Sequence, residues 1–90
     1  NLEIAYDNAV VDVRINEPKN GAKVSDSKVV THGEVQMGSK LWIDGRSISI
    51  GEHGRFNSVL TLERGLNRIV YRTVARDGTE QFTIRDVIFR

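Results

Sequence analysis

Cysteine is absent from this 90-residue chain. That removes disulfides, thiolate nucleophiles and cysteine-ligated metals in one step. It does not fix the compartment, because cytoplasm, periplasm and a bacterial exterior all accommodate a cysteine-free domain. No apolar run approaches the ~20 residues that a spanning helix needs, so direct membrane insertion is not expected. Charge of one sign is also missing. Thirteen basic residues stand against twelve acidic ones, a formal net charge of +1. A chain so balanced projects little field, and nucleic acid is therefore not an expected partner. The chain opens at Asn1 without a charged segment leading into an apolar one. That opening is what a piece excised from a longer polypeptide would show.

What remains is a pattern of alternation. The hydrophobic fraction of 39% and charged fraction of 28% are those of a soluble globular domain. Helical spacing has almost no support. In VVDVRINEP, Val11, Val13 and Ile15 alternate with Asp12, Arg14 and Asn16, which predicts a half-buried strand stopped by Pro18. Asn20-Gly21 marks a turn. KVVTHGEV is a second strand, although its adjacent valines leave the inward face open. In LWIDGRSISI, Asp44-Gly45 predicts a two-residue hairpin turn with positive φ at both positions. That register pairs Ile43 with Arg46, Trp42 with Ser47 and Leu41 with Ile48. Leu41, Ile43, Ile48 and Ile50 then share one face, while Lys40, Trp42, Ser47 and Ser49 share the other.

After the GEHG turn, RFNSVLTL restarts the alternation with Phe56, Leu60 and Leu62 in one phase. Beyond the ERGLN corner, RIVYRTVA sets Ile69, Tyr71 and Thr73 against Arg68, Val70, Arg72 and Val74. Asp77-Gly78 turns the chain into QFTIRDVIF. There Phe82 and Ile84 are out of phase with Val87 and Phe89, and a bulge near Arg85-Asp86 is expected to reconcile them. Residues 1–8 read as a linker or short edge segment and 9–90 as one domain. About seven to eight short strands with regular turn signals imply an all-β sandwich or small barrel.

The residues that could carry chemistry are scattered. His32 falls in a strand and His53 in a turn, neither with a partner at ligand spacing, so no metal and no cofactor is expected. Asp44 and Asp77 each precede glycine and read as turn formers, and no calcium-loop spacing occurs. A serine of SDS (Ser25 or Ser27) could be set with His53 and an acid, but no nucleophile elbow or oxyanion hole accompanies them. GEHGRF lacks the ending of a phosphate loop. The chain is expected not to be an enzyme.

Taken together, Pro18, Asn20 and Gly21, then Gly33, Asp44 and Gly45, Gly54 and Phe56, and finally Leu62, Gly65, Asn67 and Ile69 form a pattern over Ile15–Gly78. It resembles small bacterial immunoglobulin-like domains of the glucodextranase B-like type. Thr73 and Ala75 depart from the small apolar and acidic residues usual there. The resemblance implies an immunoglobulin-like β-sandwich serving as a non-catalytic accessory or spacer module. It also implies a secreted, cell-surface or periplasmic setting, with neighbouring domains of the same polypeptide as partners. An envelope protein or a polysaccharide is a further expected partner. A strand-pairing role would use the Val11–Ile15 or Phe82–Phe89 edge.

In such a fold Lys40–Ile43 would lie beside Arg68–Ala75. The outer sheet face would then present Trp42, Lys40, Ser47 and Ser49 next to Arg68, Arg72, Val70 and Val74. An aromatic ring among guanidinium groups and hydroxyls can stack on a sugar or anchor a protein. It can equally be an ordinary surface on which Arg72 stacks over Trp42.

Overall fold

The Asp44-Gly45 turn organises the structure around it. In the computed structural model, which describes residues 13–90, Asp44 and Gly45 have φ of 50° and 84°. These are the left-handed values that a two-residue hairpin requires. Strands β4 (Lys40–Ile43) and β5 (Arg46–Ile48) pair as Leu41–Ile48, Trp42–Ser47 and Ile43–Arg46, the expected register. A Cβ added at Gly45 would meet nothing within 4 Å, so its backbone angle alone restricts that position. We expect Gly45→Val to destabilise the domain by at least ~1–2 kcal/mol, the cost of placing an ordinary residue in the left-handed region. Gly45→Asn should cost much less. Equal urea midpoints for both variants would show that the tip is not held at positive φ.

The remaining strands are β1 (Val13–Glu17), β2 (Ala22–Val24), β3 (Lys28–Val35), β6 (Arg55–Thr61), β7 (Gly65–Val74) and β8 (Glu80–Phe89). They form a three-stranded sheet in the order β1-β3-β6 and a five-stranded sheet in the order β2-β8-β7-β4-β5. All pairings are antiparallel except β2 with β8. The expected all-β sandwich is thus observed, with eight strands among the described residues. Val11 and the 1–8 segment lie outside the described residues.

Burial follows the alternation. Ile15, Val35 and Phe56 from one sheet meet Leu41, Ile43, Ile69, Tyr71 and Val87 from the other, and Leu62 joins them from the corner after β6. The ambiguous valines of β3 are resolved, with Val29 turned to the core and Val30 47% exposed. A polar spine crosses this core. Tyr71 Oη and Thr31 Oγ1 lie 2.8 Å apart, and Thr31 Oγ1 donates to the Glu17 carbonyl at 2.9 Å. Burial pushes the Tyr71 phenol above its usual range, and the contact with Thr31 works against that rise. At the corners, Asn67 accepts a hydrogen bond from Glu63 N and returns one to Glu63 O, each at 2.8 Å. Asp77 accepts from Thr79 N at 2.9 Å, which holds its carboxyl below the usual range.

One expectation is overturned. β8 contains no bulge at Arg85-Asp86, because its register against β7 runs unbroken from Val74–Glu80 to Gly65–Phe89. Val87 and Phe89 face the core, whereas Phe82 and Ile84 point out, 57% and 46% exposed. The apparent phase slip reflects a strand that is apolar on both faces.

Candidate functional site

The outer face of the five-stranded sheet is built by register. Trp42 lies opposite Arg72, and Arg72 lies opposite Phe82, so the three form one row across β4, β7 and β8. The next row toward the hairpin tip joins Val70 to Ile84, and the row on the other side joins Lys40, Val74 and Glu80. Further down, Leu66 and Ile88 pair, with Leu66 63% exposed. Strand alternation forces this outcome. With Ile69, Tyr71 and Thr73 buried, their neighbours Val70, Arg72 and Val74 must face away.

Arg72 holds the centre. Its guanidinium carbon lies 4.6 Å from the centroid of the Trp42 ring, and its Nε is 2.5 Å from Glu80 Oε2. The cation covers the indole while its charge is balanced from β8. Four residues along β7, Arg68 donates from Nε to Asp86 Oδ1 at 3.0 Å, and that carboxylate raises the guanidinium's pKa. At a rise of ~3.3 Å per residue, Arg68 stands roughly 13 Å from Arg72 along the strand.

The expected site residues therefore separate. Trp42, Lys40, Ser47 and Arg72 come together, with Ser47 opposite Trp42 on β5. Arg68 shares their face but belongs to a different ion pair. Ser49 lies beyond β5 and lines a groove over the other sheet with Asn16, His32, Arg55 and Asn57. His32 sits on β3 opposite Asn57, and His53 occupies the tight turn before β6 with φ of 62°. The two histidines do not converge.

Phe82 and Ile84 are the face residues that the sequence reading did not assign. The Asp77-Gly78 turn held the missing signal. Ala75 N bonds to Thr79 O and closes the loop, so Val74 pairs with Glu80 and Arg72 with Phe82. Carrying register back from that turn puts Phe82 beside the outward Arg72.

This geometry defines an all-β sandwich whose larger sheet has an amphipathic outer face. No protein-family model and no curated protein matches the chain.

Trp42 is half-buried, whereas Phe56 is only 4% exposed. Trp42→Ala should therefore cost well under the ~3–5 kcal/mol of a core aromatic truncation. Acrylamide should quench Trp42 in the native state. A quencher that reaches it only after denaturation would place the ring inside.

Proposed function

We propose that this chain is a non-catalytic, immunoglobulin-like accessory module of a larger secreted or cell-envelope bacterial protein. It acts by presenting the Trp42–Arg72–Phe82 face to protein. The strand order supports the immunoglobulin-like reading. β3 and β6 share one sheet while β4, β7 and β8 share the other, the B/E and C/F/G division of that architecture. Fold alone does not assign a function, so the proposal rests on the face.

The observation that carries it is Phe82 and Ile84, 57% and 46% exposed, on the same sheet face as half-buried Val70 and, across Arg72, half-buried Trp42. Contiguous apolar patches of this kind mark contact surfaces more often than scattered apolar residues do. A protein partner is favoured over a polysaccharide, because Arg72 covers a face of Trp42 that a sugar would stack on. Seating a sugar there would also separate Arg72 from Glu80. Strand addition is the weaker reading. β8 already carries β2 along Val87–Phe89, which leaves only its first half as an edge.

A photoreactive benzoylphenylalanine at position 82, compared with one at position 57 on the opposite sheet, tests the reading in the full polypeptide. We expect protein adducts from position 82 and few from position 57. Equal labelling at both sites, or adducts to polysaccharide alone, would sink the proposal.

A further inference from the structure

The part of β8 that β2 leaves unpaired is the part that carries Phe82 and Ile84. Hydrogen bonds at its two ends fix which backbone groups face outward. Asp86 N donates to Asn20 Oδ1 at 2.8 Å, and Asp86 O accepts from Gly21 N at 2.7 Å. Both backbone groups of Asp86 therefore point away from β7. At the other end Ala75 N donates to Thr79 O at 2.8 Å, which puts Thr79, Gln81, Thr83 and Arg85 on the β7 side. Backbone groups alternate along a strand, so the N–H and C=O of Phe82 and Ile84 share the outer edge with Asp86. Among the described residues nothing pairs with them.

The inner side of the same stretch carries an unmet charge. Arg85 follows Ile84 and faces the other way, toward the space between the sheets, as Val87 does. The Arg85 Nε is buried without a hydrogen-bond partner among the described residues. Its neighbours on this sheet are better served, since Arg68 is paired with Asp86 and Arg72 with Glu80. A buried donor left unbonded is uncommon, and here it points to an acceptor that a binding partner brings.

From these observations we infer that an extended segment of the partner protein adds as a strand beside Phe82 and Ile84, apolar outside and with a carboxylate inside. The inference rests on the reading of this face as a protein-contact surface and gives that partner its conformation and chemistry. The segment continues the line that β2 occupies beside Val87–Phe89, and its backbone bonds to the open groups of Phe82 and Ile84. Its outward side chains lie against Phe82 and Ile84 and widen the apolar face by one strand. A residue between them turns inward, where an aspartate or glutamate reaches Arg85. In this mode main-chain bonds supply affinity and alternate side chains supply selectivity. Strand addition to a short edge is weak by itself. The exposed apolar pair and the unbonded arginine, on the two sides of that edge, make it specific.

A capped peptide of sequence Val-Thr-Val-Glu-Val-Thr-Val has this pattern and is the probe in an NMR titration of the 90-residue chain. We expect saturable binding that slows amide exchange at Phe82 and Ile84. Thr83, already bonded to β7, should be unaffected. Replacing the peptide's glutamate with lysine should weaken binding at least about tenfold, the loss of one charge-assisted contact. Arg85→Gln should abolish that preference. Ile84→Pro should abolish binding, because proline removes an edge N–H that β7 does not use. Ile84→Val keeps the N–H and should bind as the parent does. Should the proline variant unfold, the lysine peptide and Arg85→Gln decide the question alone. Unchanged exchange at Phe82 and Ile84, or equal binding of the two peptides, overturns the inference. So does protection of both amides before peptide is added, whether it grows with chain concentration, as a second copy would cause, or is lost on removing residues 1–8. In the full polypeptide, adducts at position 82 that survive Ile84→Pro reject the added strand and keep the face. Absence of protein adducts there in the parent would instead remove the broader reading.

Discussion

Phe56→Ala should lower the stability of this domain by about 3–5 kcal/mol, the cost of truncating a buried aromatic. Phe56 is 4% exposed on β6, opposite Gly33 of β3, and belongs to the core with Ile15, Val35 and Leu41. Gly33 has no side chain to fill the space that the ring would leave. Its own Cβ position is blocked, since an added carbon would lie 2.0 Å from the Arg14 carbonyl oxygen of β1. The neighbouring backbone therefore has little freedom to collapse into the cavity. At this length total stability is about 5–13 kcal/mol, so the substitution removes a large share of it. Phe56→Leu, which keeps most of the apolar volume, should cost much less. The readout is the urea midpoint at constant slope. A midpoint for Phe56→Ala within error of the parent would mean that Phe56 does not close the sandwich.

Gly54→Ala is expected to be nearly as damaging, for a backbone reason. Gly54 has φ of 75°, and a Cβ there would stand 2.0 Å from the Val35 carbonyl oxygen. Two costs combine. The left-handed conformation costs an alanine ~1–2 kcal/mol, and forcing an extra carbon against packed structure typically adds ~1–3 kcal/mol. We expect a total of about 2–5 kcal/mol. Gly45→Ala isolates the first cost, because its turn is open around the added carbon. Gly54→Ala should also speed amide exchange where β3 meets β6, around Gly33 and Glu34, since β3 must retreat from the methyl group. Identical midpoints for the two alanine variants would show that Val35 yields freely and that the close approach is not a constraint.

Much of this architecture was legible in the sequence because the turns are chemically explicit. Asp44-Gly45 specified both the left-handed backbone and the pairing of Trp42 with Ser47. Phe56 and the Ile69–Tyr71–Thr73 face followed from period-two alternation, and all four residues are buried. β8 was misread for a physical reason. Alternation reveals which way a strand faces only when one face is polar. With Phe82 and Ile84 outside and Val87 inside, hydrophobicity carries no phase information there.

The candidate site divides along the same line. That Trp42 would be turned from the core was determined by the sequence, since a two-residue turn fixes parity and parity fixes the face. Its neighbours were decided only by tertiary structure. Arg72 reaches Trp42 because β7 lies beside β4, thirty residues away in the chain, and Phe82 completes the row because β8 pairs with β7 without a bulge. The same folding removed Ser49 to the opposite groove and tied Arg68 to Asp86. Local rules set the direction in which each side chain points. Which side chains meet across a sheet depends on strand order, and strand order is a property of the whole chain packed around one core.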